Sequence, residues 1–412
     1  MSFAIIGLAL MFFIGHALNW FFSITKIPDL LILVFAGYLL GPVFGILQPE
    51  YFGRFGDLIS TLALVVILYE GGLNLSTKDL MSSSLPAMGL SILGIALTCL
   101  FGFLACYVIG MQDWQTSLLV AIGVGSTSSA IVIPMVKQLS LQPRTKIILS
   151  LESAFTDVLA IVIFLVLVDG FASGEVSIRN ILLGIGPKTL LAGFFGFLSA
   201  ILWAIFKQKF PNLIPKAFAG EAWALLTYGC IELLGFNGAI GVLSLGFTLT
   251  NVYLIPRFVR NHLSTTAVTY KDMSLLKEIT FLLKTFFFIY LGMLIKFSSL
   301  TNVAIALVIS LLIFISRYVI VLSVFKKHNT PKLDAMISMA MGPRGLACAV
   351  LGTIPLQRGL DNGLWIQDTI FAIIPITIFI TAVLVAAFES DTIREKFEKF
   401  FNKYSKSPHQ EV

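Results

Sequence analysis

Two carboxylates, Glu152 and Asp157, interrupt the apolar run KIILSLESAFTDVLAIVIFLVLV at residues 146–168. An ionisable side chain at the centre of a bilayer costs roughly 3 kcal/mol or more, so each such residue marks a candidate functional site. Asp157 stands eleven residues from either end of this run, near the midplane of a spanning helix. Ser153 and Asp157 lie four apart and share one helical face, while Glu152 and Thr156 share a second face turned by about 100°. The first face is an oxygen-rich stripe able to hold a hard cation or a proton. Glu152 reads more naturally as half of a structural ion pair, because two unpaired anions this close repel.

Two other runs are broken at their centres. Residues 114–136 carry Gly123, Gly125, Ser126, Thr127, Ser128 and Ser129, with Pro134 beyond; residues 333–354 carry Gly342-Pro343-Arg344-Gly345. Glycine lowers the cost of unwinding and Pro343 removes an amide. Freed backbone groups are tolerated at membrane depth only where they line a polar cavity, and paired broken helices in the two halves of a chain point to a transporter's binding site. A glycine-rich packing seam would account for the small residues but not for Arg344. Lys284 lies about 12 Å along its helix from the nearer end of its run, so snorkelling or pairing and participation in transport both stay open. Glu221 and Glu232, at the two ends of one run, are expected at a funnel edge or headgroup level. His16 is expected to make a helix–helix contact, and Cys99, Cys106, Cys230 and Cys348 to act as small buried hydrophobes.

The elements that position these residues follow from composition. The chain is 57% hydrophobic and 12% charged over 412 residues, whereas soluble domains carry about 25% charged residues. Its apolar residues fall into about thirteen runs of mostly 17 to 25, the length a helix needs to cross the hydrocarbon. A β-barrel, alternating over about ten residues, is excluded. The expected architecture is an all-α integral membrane protein of about thirteen transmembrane helices, with inverted repeats and two broken, crossing helices. Residues 1–390 form the membrane domain. Site-bearing helices are expected within about 57–168 and 276–354, with the rest as scaffold.

Of the 28 Lys and Arg, twenty fall in connections after odd-numbered spans or in the C-terminal tail, and five on the other side. Positive charge marks the cytoplasmic face, which puts the C-terminus inside and the N-terminus outside a cell membrane. Residues 391–412 read as a short basic amphipathic tail at the inner headgroup surface. The net charge of +6 is thus a topology signal and calls for no nucleic acid. No removable signal peptide is expected. Walker, HExxH and GxSxG motifs are absent from the sequence, which removes the usual footing for ATP-driven pumping and most enzymology.

Several of these segments together resemble the monovalent cation/proton antiporter superfamily, nearest its NhaP-type sodium/proton antiporters. Glu152-Ser153-Ala154-Phe155-Thr156-Asp157 resembles the family's E-S-x-F-N-D, and Gly342-Pro343-Arg344-Gly345 its second broken helix. Tyr69-Glu70-Gly71-Gly72-Leu73 resembles F-E-x-G-L, and Gly238-Ala239-Ile240-Gly241-Val242 the G-x-x-A/G-V segment. The likeness covers about residues 1–390. It implies cation/proton exchange at Asp157, with Ser153, Thr127 and Glu70 as further Na⁺ ligands beside Ser128 of the break. It also implies a Glu152–Arg317 pair, a structural bridge at Thr156, a homodimer in the lipid bilayer, and no cofactor beyond the transported Na⁺ (or Li⁺, K⁺) and H⁺. Two departures stand out: Thr156 replaces the family's Asn, and Gly125-Ser126-Thr127-Ser128-Ser129 replaces S-P-T-D-P.

Three other readings fit the residue chemistry less well. A symporter or organic-anion carrier would want cationic groups converging on the substrate, whereas this stripe is acidic and hydroxylic. A channel would want a filter repeated about an oligomer axis. A membrane enzyme could use Asp157 and Glu152 as a carboxylate pair, but no nucleophile or metal motif accompanies them.

Overall fold

The computed structural model describes residues 29–46, 53–73, 85–174, 186–210, 219–251, 300–325 and 330–405, together with residues 13, 17, 179, 278, 281–283, 285–290, 292, 293 and 295. The first span expected from sequence, with His16, lies outside the described residues except for residues 13 and 17, and Lys284 lies outside them too. All the regular elements described are helical.

The helices are α1 (Asp29–Tyr38), α2 (Gly53–Leu73), α3 (Leu85–Leu104), α4 (Trp114–Gly123), α5 (Ser129–Gln138), α6 (Pro143–Ala172) and α7 (Gly186–Lys209). They continue as α8 (Ala219–Leu233), α9 (Gly238–Thr250), α10 (Leu300–Val324), α11 (Lys332–Ala340), α12 (Leu346–Gln357), α13 (Gly363–Glu389) and α14 (Asp391–Glu398). Among the described residues, five stretches are long and apolar enough to cross a membrane: Pro86–Ile109, Pro143–Ala172, Leu190–Lys209, Thr301–Val324 and Gly363–Glu389. Both broken runs are broken where the glycines and Pro343 fall, between α4 and α5 and between α11 and α12.

The chain divides into two compact units. One comprises Met1–Phe12, Pro49–Ser82 and Leu165–Phe287; the other comprises Phe13–Gln48, Ser83–Phe164 and Phe288–Val412. In the first unit α2 and α9 touch backbone to backbone. A Cβ on Gly72 would lie 2.8 Å from Phe247 N and 3.0 Å from Gly246 Cα, so only glycine at both positions lets the helices approach this closely. Glu70 sits on α2 in this unit. Glu221 is 3% exposed in the first turn of α8, where the helix dipole favours an anion. Cys230 is exposed on α8, against its expected burial, while Cys106 and Cys348 are buried.

The second unit, which takes in α6 as far as Phe164, carries two sets of helices in the same order: a long helix, a broken helix and another long helix (α3, α4/α5, α6 and α10, α11/α12, α13). Each broken helix begins beside an aspartate bonded to the residue that follows the other broken helix. Asp113 caps α4, accepting from the amides of Gln115 and Thr116 at 3.1 Å, and its other oxygen accepts from Asn362 Nδ2 at 2.9 Å. Asp334, in the first turn of α11, accepts from Gln142 N at 3.1 Å. Asn362 immediately precedes α13 and Gln142 immediately precedes α6, the correspondence a repeat demands.

The tail turns back onto the protein. Phe401 is 1% exposed and meets Tyr318 edge-on, and Tyr404 donates its hydroxyl to Val321 O at 3.0 Å. Ser405 pairs with the strand-like stretch ahead of α11, its carbonyl accepting from Lys332 N at 3.0 Å. The amphipathic helix expected of this tail forms over Asp391–Glu398. The chain's own helix ends cover part of its apolar face, with Phe400 left 65% exposed.

Candidate functional site

α6 is 30 residues long and Asp157 is its midpoint. Ser129, the first residue of α5, donates its hydroxyl to Asp157 Oδ2 at 2.6 Å and its amide to the same oxygen at 3.3 Å. A helix N-terminus has unsatisfied amides and a partial positive charge, so a carboxylate is well placed there. Both residues are partly exposed. Oδ1 of Asp157 has no hydrogen-bond partner among the described residues.

A second chain of contacts ties α6 to the first break. The amide of Thr127 donates to Thr156 Oγ1 at 3.0 Å, and that hydroxyl donates to Ser153 O at 3.1 Å. Ser153 donates to Ser150 O at 3.0 Å, which keeps its oxygen lone pairs uncommitted. Thr has fewer donors than Asn, but one acceptor and one i−3 back-bond suffice for this bridge.

The breaks remain stable because their freed backbone groups find partners. Ser128 N donates to Pro343 O at 2.9 Å, joining one break to the other. Arg344 donates Nη1 to Ser126 O at 2.6 Å and to Thr127 Oγ1 at 3.1 Å, and Nη2 to Thr98 Oγ1 at 3.0 Å; its own amide is held by Thr377 at 3.0 Å. Arg317 grips Glu152 with both terminal nitrogens, at 2.6 and 2.7 Å, and donates Nε to Ser338 O at 2.9 Å, near the C-terminal end of α11. A fork of this kind matches carboxylate geometry as no lysine can. Glu152 is 0% and Arg317 5% exposed. Cys348 packs its thiol 3.3 Å from Ser126 Oγ.

The structure therefore brings together Asp157, Ser129, Thr127, Thr156 and Ser153 around the first break, with Arg344 fastening the second break to it. Ser128 sits at the crossing, where its side chain faces Gly345. Glu70 belongs to the other unit and Lys284 lies outside the described residues. Ser129, Thr98 and Thr377 were not assigned roles from sequence; a run of four hydroxyl residues in an unwound segment has no periodicity from which to read a face. Among the described residues no group of three His, Cys, Asp or Glu gathers at metal-ligand spacing. A cation here would meet one carboxylate oxygen and neutral oxygens. Among the described residues the centre holds two acids, Glu152 and Asp157, and two arginines, Arg317 and Arg344, a formal charge of zero with Asp157 ionised and +1 when a proton or a monovalent cation is bound.

Comparison with known proteins identifies the family and the fold. The chain is 26% identical over 388 residues to the K⁺/H⁺ antiporter NhaP2 of Shewanella sp. (strain ANA-3), covering 92% of this chain and 65% of that relative. It thus spans somewhat under two thirds of the relative's length. It is also 29% identical to the Na⁺/H⁺ antiporter ApNhaP of Aphanothece halophytica, over 55% of this chain and 43% of the relative. The fold matches that of the sodium proton antiporter MjNhaP1 from Methanocaldococcus jannaschii at pH 8, with a TM-score of 0.70 at 21% identity over 94% of this chain and 99% of the other. Residues 3–388 match the profile of the sodium/hydrogen exchanger transmembrane family, and with the crossed broken helices and the acidic midpoint of α6 in place, the chain belongs to that family.

Proposed function

We propose that this chain is a secondary antiporter that exchanges a monovalent cation for a proton by alternating access, with Asp157 as the exchanging group. The observation that carries this reading is the state of Asp157: one carboxylate oxygen is held by Ser129 and the other has no hydrogen-bond partner among the described residues, whereas Glu152 and Arg317 are committed to each other. A midplane carboxylate with a free oxygen binds either a proton or a cation, and the two compete. Ser153, Thr127 and Ser128 serve as further cation ligands in this reading. Relatives named for K⁺/H⁺ and Na⁺/H⁺ exchange support a monovalent cargo.

Because the site gains one positive charge whichever cargo it holds, exchange is one for one and electroneutral. The protein works as a homodimer in a cell membrane, its C-terminus in the cytoplasm; the asymmetry of basic residues supports this orientation. No cofactor takes part. Asp157→Asn abolishes exchange while leaving the protein inserted and folded. In everted vesicles or proteoliposomes, Na⁺- or K⁺-dependent dissipation of a pH gradient by this variant, above the level of empty vesicles, removes Asp157 from the mechanism.

A further inference from the structure

We propose that Ser129 is a specificity-determining residue: by donating hydrogen bonds to Asp157 Oδ2 it weakens the field that the carboxylate presents to a cation and tilts the preference toward larger ions. This rests on the antiport reading of Asp157.

The geometry gives Ser129 two donors on one acceptor, a hydroxyl at 2.6 Å and an amide at 3.3 Å. Hydrogen bonds to an ionised acceptor are short and strong, and they draw charge toward the donor. Oδ2 is thereby occupied, so a cation meets the carboxylate through Oδ1 alone. Ion choice is a contest between hydration and the field strength of the replacing ligands. Coulomb attraction grows as ion and ligand approach, so a strong, two-oxygen carboxylate gains most with a small cation such as Li⁺. A one-oxygen carboxylate, softened by two donors, loses that advantage and leaves the less hydrated K⁺ favoured. Arg344 adds to the same effect, as its charge acts on Asp157, but its guanidinium is already bonded to Ser126 O, Thr127 Oγ1 and Thr98 Oγ1. Ser129 is the adjustable contact.

Its position makes the test clean. Ser129 is the first residue of α5, where proline is well tolerated because the amide has no intrahelical partner. Ser128 before it has φ −63° and ψ 109°, the extended conformation that a following proline requires. Ser129→Ala thus removes one donor, Ser129→Pro removes both, and Ser129→Thr keeps both. The full-length protein is reconstituted in liposomes, and apparent KM is measured for Li⁺, Na⁺ and K⁺ at one pH and constant ionic strength. The expected result is a rise in the KM ratio of K⁺ to Li⁺ of roughly threefold or more in Ser129→Ala, on the scale of losing one charge-assisted hydrogen bond, with a larger rise in Ser129→Pro and a wild-type ratio in Ser129→Thr. Protection against thermal unfolding in detergent by LiCl relative to KCl reads the same ratio without turnover. An unchanged ratio, or an equal loss for all three ions while exchange persists, overturns the role of Ser129 and leaves the antiport reading standing. Wild-type protein that moves no protons in response to any of the three cations overturns both.

Discussion

Ser128 and Pro343 share a backbone hydrogen bond of 2.9 Å at the point where the two broken helices cross. Each break thus satisfies part of the other's exposed backbone, which a lone broken helix in lipid could not do. Approach at this distance depends on Gly345. A Cβ there would stand 2.7 Å from Ser128 Cβ and closer still to its Oγ.

Gly345→Ala is therefore expected to lower stability by about 1–3 kcal/mol through overpacking and to impair exchange. Thermal unfolding in detergent measures the first. Ser128→Gly in the same chain relieves the clash and restores part of the loss; a Gly345→Ala variant that melts with the wild type refutes the close crossing.

Glu152→Ala and Arg317→Ala each leave a buried charge without its partner, a change commonly costing about 3–5 kcal/mol. Arg317→Ala is expected to be the more damaging, because Ser338 O also loses its donor. Both melt well below Asp157→Asn, and the double variant Glu152→Leu/Arg317→Leu recovers part of the loss. Equal melting temperatures for Glu152→Ala, Arg317→Ala and Asp157→Asn would rule the pair out as a structural element.

Charge balance gives a third expectation. With one exchanging carboxylate and the Glu152–Arg317 pair closed, an imposed membrane potential at zero ion gradients drives no movement of cation or proton in proteoliposomes. Potential-driven movement that disappears in Lys284→Gln while exchange persists would make Lys284 a second proton carrier and the cycle electrogenic.

Asp113 supplies the pH-dependent term. Burial, the largest single influence, acts to raise its pKa, but the bonds from Thr116, Asn362 and Gln115 together hold it below the ordinary carboxylate value. A lowered folded-state pKa means the cap stabilises above the unfolded pKa and is lost as pH falls through the folded one. Asp113→Ala is expected to cost on the order of 1 kcal/mol at neutral pH, as N-cap removals do. The difference from wild type in denaturant unfolding shrinks only below about pH 4; a gap that closes already at pH 6 contradicts this assignment.

Much of this architecture is legible in the residues. The acidic midpoint of α6 follows from hydropathy, and the observed Pro143–Ala172 exceeds the run at 146–168 by a few residues at each end. Both breaks fall on the glycines and Pro343 that mark them. What the sequence hides are contacts across distance: Ser129 meets Asp157 from 28 residues away, and Arg344 reaches Thr98 from 246. Helical periodicity carries no information across an unwound segment. Asp334 was hidden for a related reason, since an acid at the polar end of a span reads as solvated until the loop at Gln142 covers it.

The fold-back of the tail gives this molecule a lever. Ser405 is hydrogen-bonded on both sides of Pro331, to Lys332 N and Thr330 O, and Lys332 opens α11, whose far end is the second break. Linkage is reciprocal: if α11 shifts during transport, the tail feels the shift, and whatever grips residues 391–405 in one posture holds α11 in the arrangement that suits it, by the same free energy. A fluorophore attached along that tail would report on the broken helix, and a rigid fusion placed there would act as a brake.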